Sequence, residues 1–256
     1  EKLCGMAEKL QKSEKADGGK KFKRVEKFED KVSGLRAVVS KDLKSNDVRT
    51  REIAAIVALI DQTYMRIGGS DSEEDTGSVG ATSLLVEHVT LKDGSVRLRF
   101  DGKSGVAWDR TVKDKTLVGA IKSSVDGKKS GDYLFDVSAP AVNKYLHEKA
   151  GVTSKDFRTF HATRIARERL EAAGAPKDAK DAAEKIKAAI EYTAEQLNHT
   201  PGVSRSTYIR SDVLEEYETR IPKLAKADGD NCGTGAGGFQ EGNTCATETG
   251  AAMDAA

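Results

Sequence analysis

The sequence predicts an α+β fold that is predominantly helical and contains one small three-stranded antiparallel sheet. Two observations lead to this prediction. Apolar residues recur at helical spacing over most of the chain, whereas one central stretch alternates with period two between Asp-Gly dipeptides. The regular alternation of strand and helix that builds a parallel sheet is missing, which argues against a dinucleotide-binding fold. We therefore expect helices to form the body of the domain.

Two helical patterns precede the sheet. The first covers residues 25–43, and the second covers residues 49–65. Asp47 lies between them and is placed to cap the second helix, because an Asp side chain accepts hydrogen bonds from the first N–H groups of a helix. The aliphatic run Ile53–Ile60 is only eight residues long. It is therefore far too short to span a membrane.

The sheet and five further helices complete the pattern. The dipeptides Asp93-Gly94 and Asp101-Gly102 are typical of hairpin turns, so we expect a meander. Its strands are predicted over residues 83–89, 96–100 and 106–112. Helical patterns then cover residues 116–124, 139–150, 154–173, 177–197 and 211–224.

Charge is unevenly distributed along the chain. Residues 227–256 contain no Lys or Arg and five acidic residues, whereas residues 1–226 carry 42 basic and 36 acidic residues, a net charge of +6. We divide the chain into a charged lead-in (1–24), a globular body (25–226) and an acidic tail (227–256). The tail is rich in Gly, Ala and Thr, and we expect it to be disordered. The mildly basic body suits a polyanionic partner.

Composition excludes several classes of protein. Three cysteines without a CxxC spacing argue against a disulfide scaffold or structural zinc, and favour an intracellular location. Neither a basic-then-apolar leader nor a glycine-rich phosphate loop is found, so we expect no secretion, no membrane contact and no nucleotide cofactor. The acidic stretch 71–75 lacks the spacing of a calcium loop. We therefore interpret it as a solvated loop and expect no metal site.

Five side chains could perform chemistry: Arg66, Lys103, Arg158, His199 and Tyr208. Taken singly, each has an ordinary structural explanation, such as an arginine at a helix C-terminus or a lysine at a hairpin tip. Their order along the chain is more informative about function than any one of them. It reads Arg, Lys, Lys-x-x-Arg, His and Tyr, with Lys155 as the second lysine.

This order resembles that of the type IB DNA topoisomerases, within the superfamily of tyrosine recombinases. The resemblance covers residues 22–225. Four strings are similar to family segments around these side chains, at residues 75–89, 100–105, 142–146 and 155–159. The body would then be the catalytic domain of this fold.

The chain also departs from the family in a few places. Phe160 stands where Trp or Tyr is frequent, and Gly68-Gly69 where Gly-Asn is frequent. Residues 1–24 are too few and too charged to be the family's N-terminal clamp lobe. Only eight residues separate His199 from Tyr208, so the long helical linker of the nuclear enzymes is absent between them.

The resemblance implies relaxation of supercoiled duplex DNA. Tyr208 would attack a phosphodiester to give a 3′-phosphotyrosyl intermediate, and strand swivelling and religation would follow without ATP or metal. Two arginines and a histidine suit the charge of the phosphorane, because guanidiniums bond phosphate oxygens bidentately. Lys103 would protonate the leaving oxygen. We expect Lys155, Ser204 and Arg205 to contact the DNA.

Two alternatives remain. A tyrosine recombinase or integrase uses the same nucleophile, but usually has His three residues before the second Arg, where this chain has Lys155. A non-catalytic DNA-binding module of the same fold is the other alternative, and the presence of all five polar groups argues against it. We expect double-stranded DNA as the partner, a monomer, and an intracellular, DNA-associated location.

Overall fold

The structure is a computed structural model that describes residues 23–68, 79–102 and 105–221. Its main helices and strands are α1 (23–42), α2 (Val48–Thr63), β1 (Val89–Lys92), β2 (Ser95–Asp101), β3 (Ala107–Val112), α3 (Lys115–Val125), α4 (Ala139–Ala150), α5 (Ser154–Ala172), α6 (Ala179–Leu197) and α7 (Ser211–Thr219). The strands form an antiparallel sheet in the order β1-β2-β3. The predicted fold class is confirmed.

Some predicted features lie outside the described residues. They are Lys103, the acidic stretch 71–75, the tail 227–256 and nearly all of the lead-in 1–24. Among the described helices, none combines the length and the apolar character needed to cross a membrane.

The helix boundaries follow from local chemistry. Asp47 Oδ2 accepts from the backbone N–H of Thr50 at 2.8 Å, which is the predicted cap of α2. Helix α6 ends where Asn198 adopts a left-handed conformation with φ of 57°. The pattern over residues 211–224 predicts a longer helix than the observed α7. That helix ends early because Pro222 disfavours the helical conformation in the residue before it.

The first strand is also shorter than predicted. The pattern over residues 83–89 predicts a strand, but β1 begins only at the last of these residues, after two single turns of 3₁₀ helix. Side chains stabilise both turns. Ser83 Oγ accepts from the N–H of Gly80 at 2.9 Å, and His88 Nδ1 accepts from the N–H of Leu85 at 3.0 Å. Such local bonds compete with the hydrogen bonds of a strand.

Buried apolar residues form two clusters that meet along α5. The larger cluster joins α1–α4, the sheet and the start of α5, including Phe157 and Phe160. The second cluster joins the rest of α5 to α6 and to residues 208–217. Arg158 follows Phe157 directly, so the fold places it at the junction of the two clusters.

Candidate active site

Helix α5 begins with a buried cap that fixes the turn carrying Arg158. The N–H of Thr153 donates to Asp156 Oδ2 at 2.8 Å. Asp156 is fully buried, and both of its oxygens also accept from Arg24, at 2.8 and 2.9 Å. This carboxylate therefore ties the first turn of α5 to α1.

Arg158 is buried and held by the ends of two helices. Its side chain is only 2% exposed. Nη2 donates to the carbonyl of Leu197 at 2.9 Å, and Nη1 donates to the carbonyl of Tyr64. These carbonyls belong to the C-terminal ends of α6 and α2, where backbone oxygens lack helical partners and favour a cation. The guanidinium is thus fixed in orientation before any substrate binds.

Tyr208 contacts two other predicted catalytic side chains. The Arg158 guanidinium carbon is 5.1 Å from the centre of the Tyr208 ring. The His199 ring is stacked against the same ring, with centroids 5.0 Å apart and planes inclined by 14°. Tyr208 ends a single turn of π-helix, Ser204–Tyr208, a rare conformation that is frequent at functional sites.

His199 presents a nitrogen that has no hydrogen-bond partner among the described residues. Its Nδ1 lies 3.2 Å from Ser204 Oγ and 3.3 Å from the carbonyl oxygen of Thr200. Its Nε2 is buried and has no hydrogen-bond partner within the described parts of the chain. Burial, and next the charge of Arg158, lowers the pKa of His199 to about 4. The imidazole is therefore neutral at pH 7 in the free protein.

Arg66 completes the cationic side of the site. Burial, and next the nearby charge of Arg66, lowers the pKa of Arg158 to about 10, so Arg158 remains charged at pH 7. Arg66 also contributes to lowering the pKa of His199. Arg158 Nε is buried and, as far as the described residues extend, has no hydrogen-bond partner. The charge of Arg158, the nearby charge of Arg66 and the nitrogens Arg158 Nε and His199 Nε2 together make the site suited to an anion.

The segment carrying Arg66 is held by a close backbone approach. The N–H of Ala81 donates to the carbonyl of Arg66 at 2.8 Å. A Cβ atom added at Gly80 would lie only 2.4 Å from the backbone nitrogen of Gly68. Glycine is therefore required at residue 80, and the sequence pattern alone did not single it out.

The predicted DNA-contacting residues differ in their exposure. Lys155 at the start of α5 and Arg205 in the π-helical turn are both exposed. Ser204 is fully buried, and its hydroxyl contacts His199. In this arrangement Ser204 supports the histidine and does not present its hydroxyl to solvent.

Sequence reasoning missed the two left-handed residues that end the helices to which Arg158 binds. Asn198, which ends α6, has a recognisable signal, because Asn is among the few residues that adopt a left-handed conformation readily. Tyr64 adopts the same conformation, with φ of 63°, although tyrosine gives no such signal. Within the described residues, His, Cys, Asp and Glu side chains do not gather in groups of three that could bind a metal ion.

Comparison with known proteins identifies the family. Residues 9–230 match the family model described as the catalytic core of eukaryotic DNA topoisomerase I. DNA topoisomerase 1 of Daucus carota is 32% identical over 217 residues, which cover 80% of this chain and 27% of the relative. DNA topoisomerase 1 of Candida albicans is 32% identical over 211 residues, with the same two shares.

A viral relative is matched over more of its length. DNA topoisomerase 1B of Acanthamoeba polyphaga mimivirus is 30% identical over 218 residues, which cover 77% of this chain and 64% of the relative. The chain thus spans 27% of the plant and Candida albicans relatives and less than two thirds of the viral one. Because the family model matches most of its residues, the chain belongs to the family of the eukaryotic DNA topoisomerase I catalytic core.

Proposed function

We propose that the protein relaxes supercoiled duplex DNA by cutting and rejoining one strand. The Tyr208 hydroxyl attacks a phosphodiester, forms a bond to the 3′-phosphate and releases a 5′-hydroxyl. The broken strand swivels, and the 5′-hydroxyl then attacks the phosphotyrosine to restore the strand. The observation that carries the proposal is the contact of the Tyr208 ring with both the Arg158 guanidinium and the His199 imidazole.

The surroundings of Tyr208 suit this reaction. A phosphorane transition state gains negative charge on its non-bridging oxygens, which preorganised cations and N–H donors stabilise. Arg158 and Arg66 supply positive charge. Arg158 Nε and His199 Nε2 have no hydrogen-bond partner in the described part of the chain, so they are available for further hydrogen bonds. These protein cations take the part that metal ions play in other phosphoryl transfers. ATP is not needed, because the energy of the broken bond is retained in the phosphotyrosine.

Lys103 is the proposed general acid. It lies in the connection between β2 and β3, outside the described residues. The start of β3 is bound to the residue before His199, since Asn198 Nδ2 donates to the carbonyl of Ala107 at 3.0 Å. This contact supports a hairpin that lies close to the histidine, where a lysine could reach the leaving oxygen.

The proposal is tested by trapping the covalent intermediate. End-labelled duplex DNA is incubated with the protein in EDTA, and the products are separated by denaturing electrophoresis. We expect the wild type to become attached to the 3′ side of the nick. Tyr208→Phe should bind DNA but form no adduct, because it keeps the ring and loses the attacking oxygen. Tyr192→Phe is the matched control, since Tyr192 is 41% exposed on α6 and should be dispensable.

Two results would contradict the proposal. One is attachment of the wild type to the 5′ side of the nick, and the other is an adduct formed by Tyr208→Phe. A plasmid relaxation assay separates the alternatives further. Relaxation of any supercoiled plasmid supports a topoisomerase, whereas a requirement for paired specific sites indicates a recombinase.

A further inference from the structure

A hydrogen-bonded network of one histidine, one aspartate and one arginine lies next to the active site and outside the proposed chemistry. His161 follows Arg158 by three residues on α5 and is only 2% exposed. Its Nε2 lies 2.7 Å from Asp61 Oδ1, near the end of α2. Arg36 of α1 binds both oxygens of the same carboxylate, at 2.7 and 2.9 Å. Three helices therefore meet at the Asp61 carboxylate.

Burial and hydrogen bonding set the charges of His161 and Asp61. Burial lowers the pKa of His161, so the imidazole is neutral and donates from Nε2. Burial alone would raise the pKa of Asp61, but the hydrogen bonds with His161 and Arg36 bring it down to about 2. The result is a neutral histidine that donates to an ionised carboxylate. This arrangement adds no positive charge beside the arginines of the active site.

The network contacts Tyr64, the residue with the unusual backbone. The rings of His161 and Tyr64 lie against each other, with centroids 4.5 Å apart and planes inclined by 43°. Arg164 Nη2, one turn after His161, donates to the Tyr64 hydroxyl at 3.3 Å. A tyrosine with φ of 63° is held in a conformation that is unfavourable for non-glycine residues. Such a conformation persists only where the surroundings fix it.

Tyr64 in turn holds the catalytic arginine. Its carbonyl is one of the two backbone oxygens that accept from Arg158, the other belonging to Leu197. A return of Tyr64 to an ordinary helical conformation would turn this carbonyl away. The guanidinium would then keep only one of its two backbone acceptors.

We propose that Asp61 and His161 are positioning residues for Arg158. They hold Tyr64 in its left-handed conformation, and the carbonyl of Tyr64 thereby holds the guanidinium against the Tyr208 ring. The inference deepens the proposed function and rests on it for the catalytic consequence. The structural consequence, restraint of the Arg158 side chain, can be measured without any reaction.

The first experiment measures the restraint directly by NMR. Rotation about the Cζ–Nη bonds of an arginine is slow when its N–H groups are held, and the Nη signals are then resolved. Protein labelled with ¹⁵N-arginine is compared with His161→Phe, and the Arg158 signals are identified by their loss in Arg158→Lys. Phe keeps a ring against Tyr64 but cannot donate to Asp61. We expect rotation at Arg158 to become about tenfold faster, as for the loss of one hydrogen bond.

A second experiment measures single-turnover cleavage with protein in excess over end-labelled DNA. His161→Phe should slow cleavage about tenfold at saturating protein and leave the dissociation constant for DNA unchanged. His161→Gln can still donate an amide N–H to Asp61, and it should recover most of the rate. In an Arg158→Lys background, His161→Phe should have no further effect, because the two changes act through the same group.

Controls separate positioning from folding. Arg167→Ala is the matched control, since Arg167 lies on α5 and pairs with Glu29 at 3.7 Å, away from Tyr64. Thermal unfolding identifies any variant that does not fold, and Asp61→Asn then replaces His161→Phe, with the same two effects expected. Two results would overturn the inference. One is an unchanged rate of rotation at Arg158 in His161→Phe, and the other is that His161→Phe slows cleavage equally in the wild type and in the Arg158→Lys background. A wild type that forms no adduct would defeat the proposed function alone, because the NMR comparison still decides the inference.

Discussion

At the scale of single residues, the lowered pKa of His199 makes the stability of the fold depend on pH. Its pKa is lowered from an ordinary 6.5 to about 4, first by burial and then by Arg158. The unfolded chain therefore binds a proton at this side chain more readily than the folded one. The free energy of unfolding that depends on a neutral His199 is fully present above pH 6.5, and it is lost progressively as the pH falls towards 4.

We expect this dependence to weaken when His199 is replaced. In urea denaturation, the wild-type free energy of unfolding should fall between pH 7 and pH 5. His199→Asn should lose less over the same interval, because Asn does not titrate. Part of the dependence should remain, since the pKa of buried His161 is lowered as well. An identical fall in both proteins would show that His199 does not carry the effect.

At the scale of local elements, the approach of two backbone segments places Arg66. A Cβ atom at Gly80 would lie 2.4 and 2.5 Å from the Gly68 nitrogen and Cα, and 2.9 Å from the Arg66 carbonyl oxygen. All three are backbone atoms, so a side-chain rotation cannot relieve the contact. The segment carrying Arg66 would have to move instead.

Gly80→Ala should therefore affect both stability and activity. We expect the free energy of unfolding to fall by about 1–3 kcal/mol, as for overpacking elsewhere, together with slower DNA cleavage at saturating protein. Gly119→Ala is the matched control, because a Cβ there meets nothing within 4 Å and Gly119 lies inside α3. That control should be neutral or more stable by up to about 1 kcal/mol. Equal stability of the two variants would contradict this account of Gly80.

The sequence predicted the elements better than their ends. Helix α4 occupies the predicted residues 139–150, since Pro140 suits the first turn of a helix and Gly151 ends it in a left-handed conformation. The strand predicted over 83–89 was mostly wrong, because side chains of Ser83 and His88 bond the backbone locally. Periodicity reports burial and does not report such bonds.

The site was predicted by a different kind of signal. The order of Arg66, Arg158, His199 and Tyr208 along the chain indicated a family. The structure brings Arg158, His199 and Tyr208 into contact, and the charge of Arg66 is near enough to lower the pKa of Arg158. The supporting pair of Asp61 and His161 could not be predicted, because it joins residues 100 positions apart. Neither residue has a local pattern that indicates its partner.

At the scale of the whole molecule, the site depends on both hydrophobic clusters. Helix α5 packs in the larger cluster through Phe157 and in the second through Ile165. Arg158 lies between these contacts and binds the ends of α2 and α6, one helix from each cluster. The active-site geometry is therefore formed only when the two halves of the core are packed together.

The net positive charge of residues 1–226 leads to a prediction for DNA binding. Residues 1–226 have a net charge of +6. The exposed cations Lys155 and Arg205 each lie three residues before a predicted catalytic residue, Arg158 and Tyr208 respectively. Cations that neutralise phosphates release counterions, so the logarithm of affinity should fall linearly with the logarithm of salt concentration, by about 0.9 per phosphate. Lys155→Ala and Arg205→Ala should each reduce this slope by about 1.

The slope is measured by fluorescence anisotropy of a labelled duplex, at several salt concentrations, in the Tyr208→Phe background so that no adduct forms. Lys122→Ala is the control, because Lys122 is exposed on α3, which carries none of the predicted site residues. It removes the same charge, so a general loss of charge would lower its slope as much as the others. Only direct phosphate contacts predict that the slope changes for Lys155 and Arg205 and not for Lys122. Equal slopes in all variants would show that neither residue contacts a phosphate.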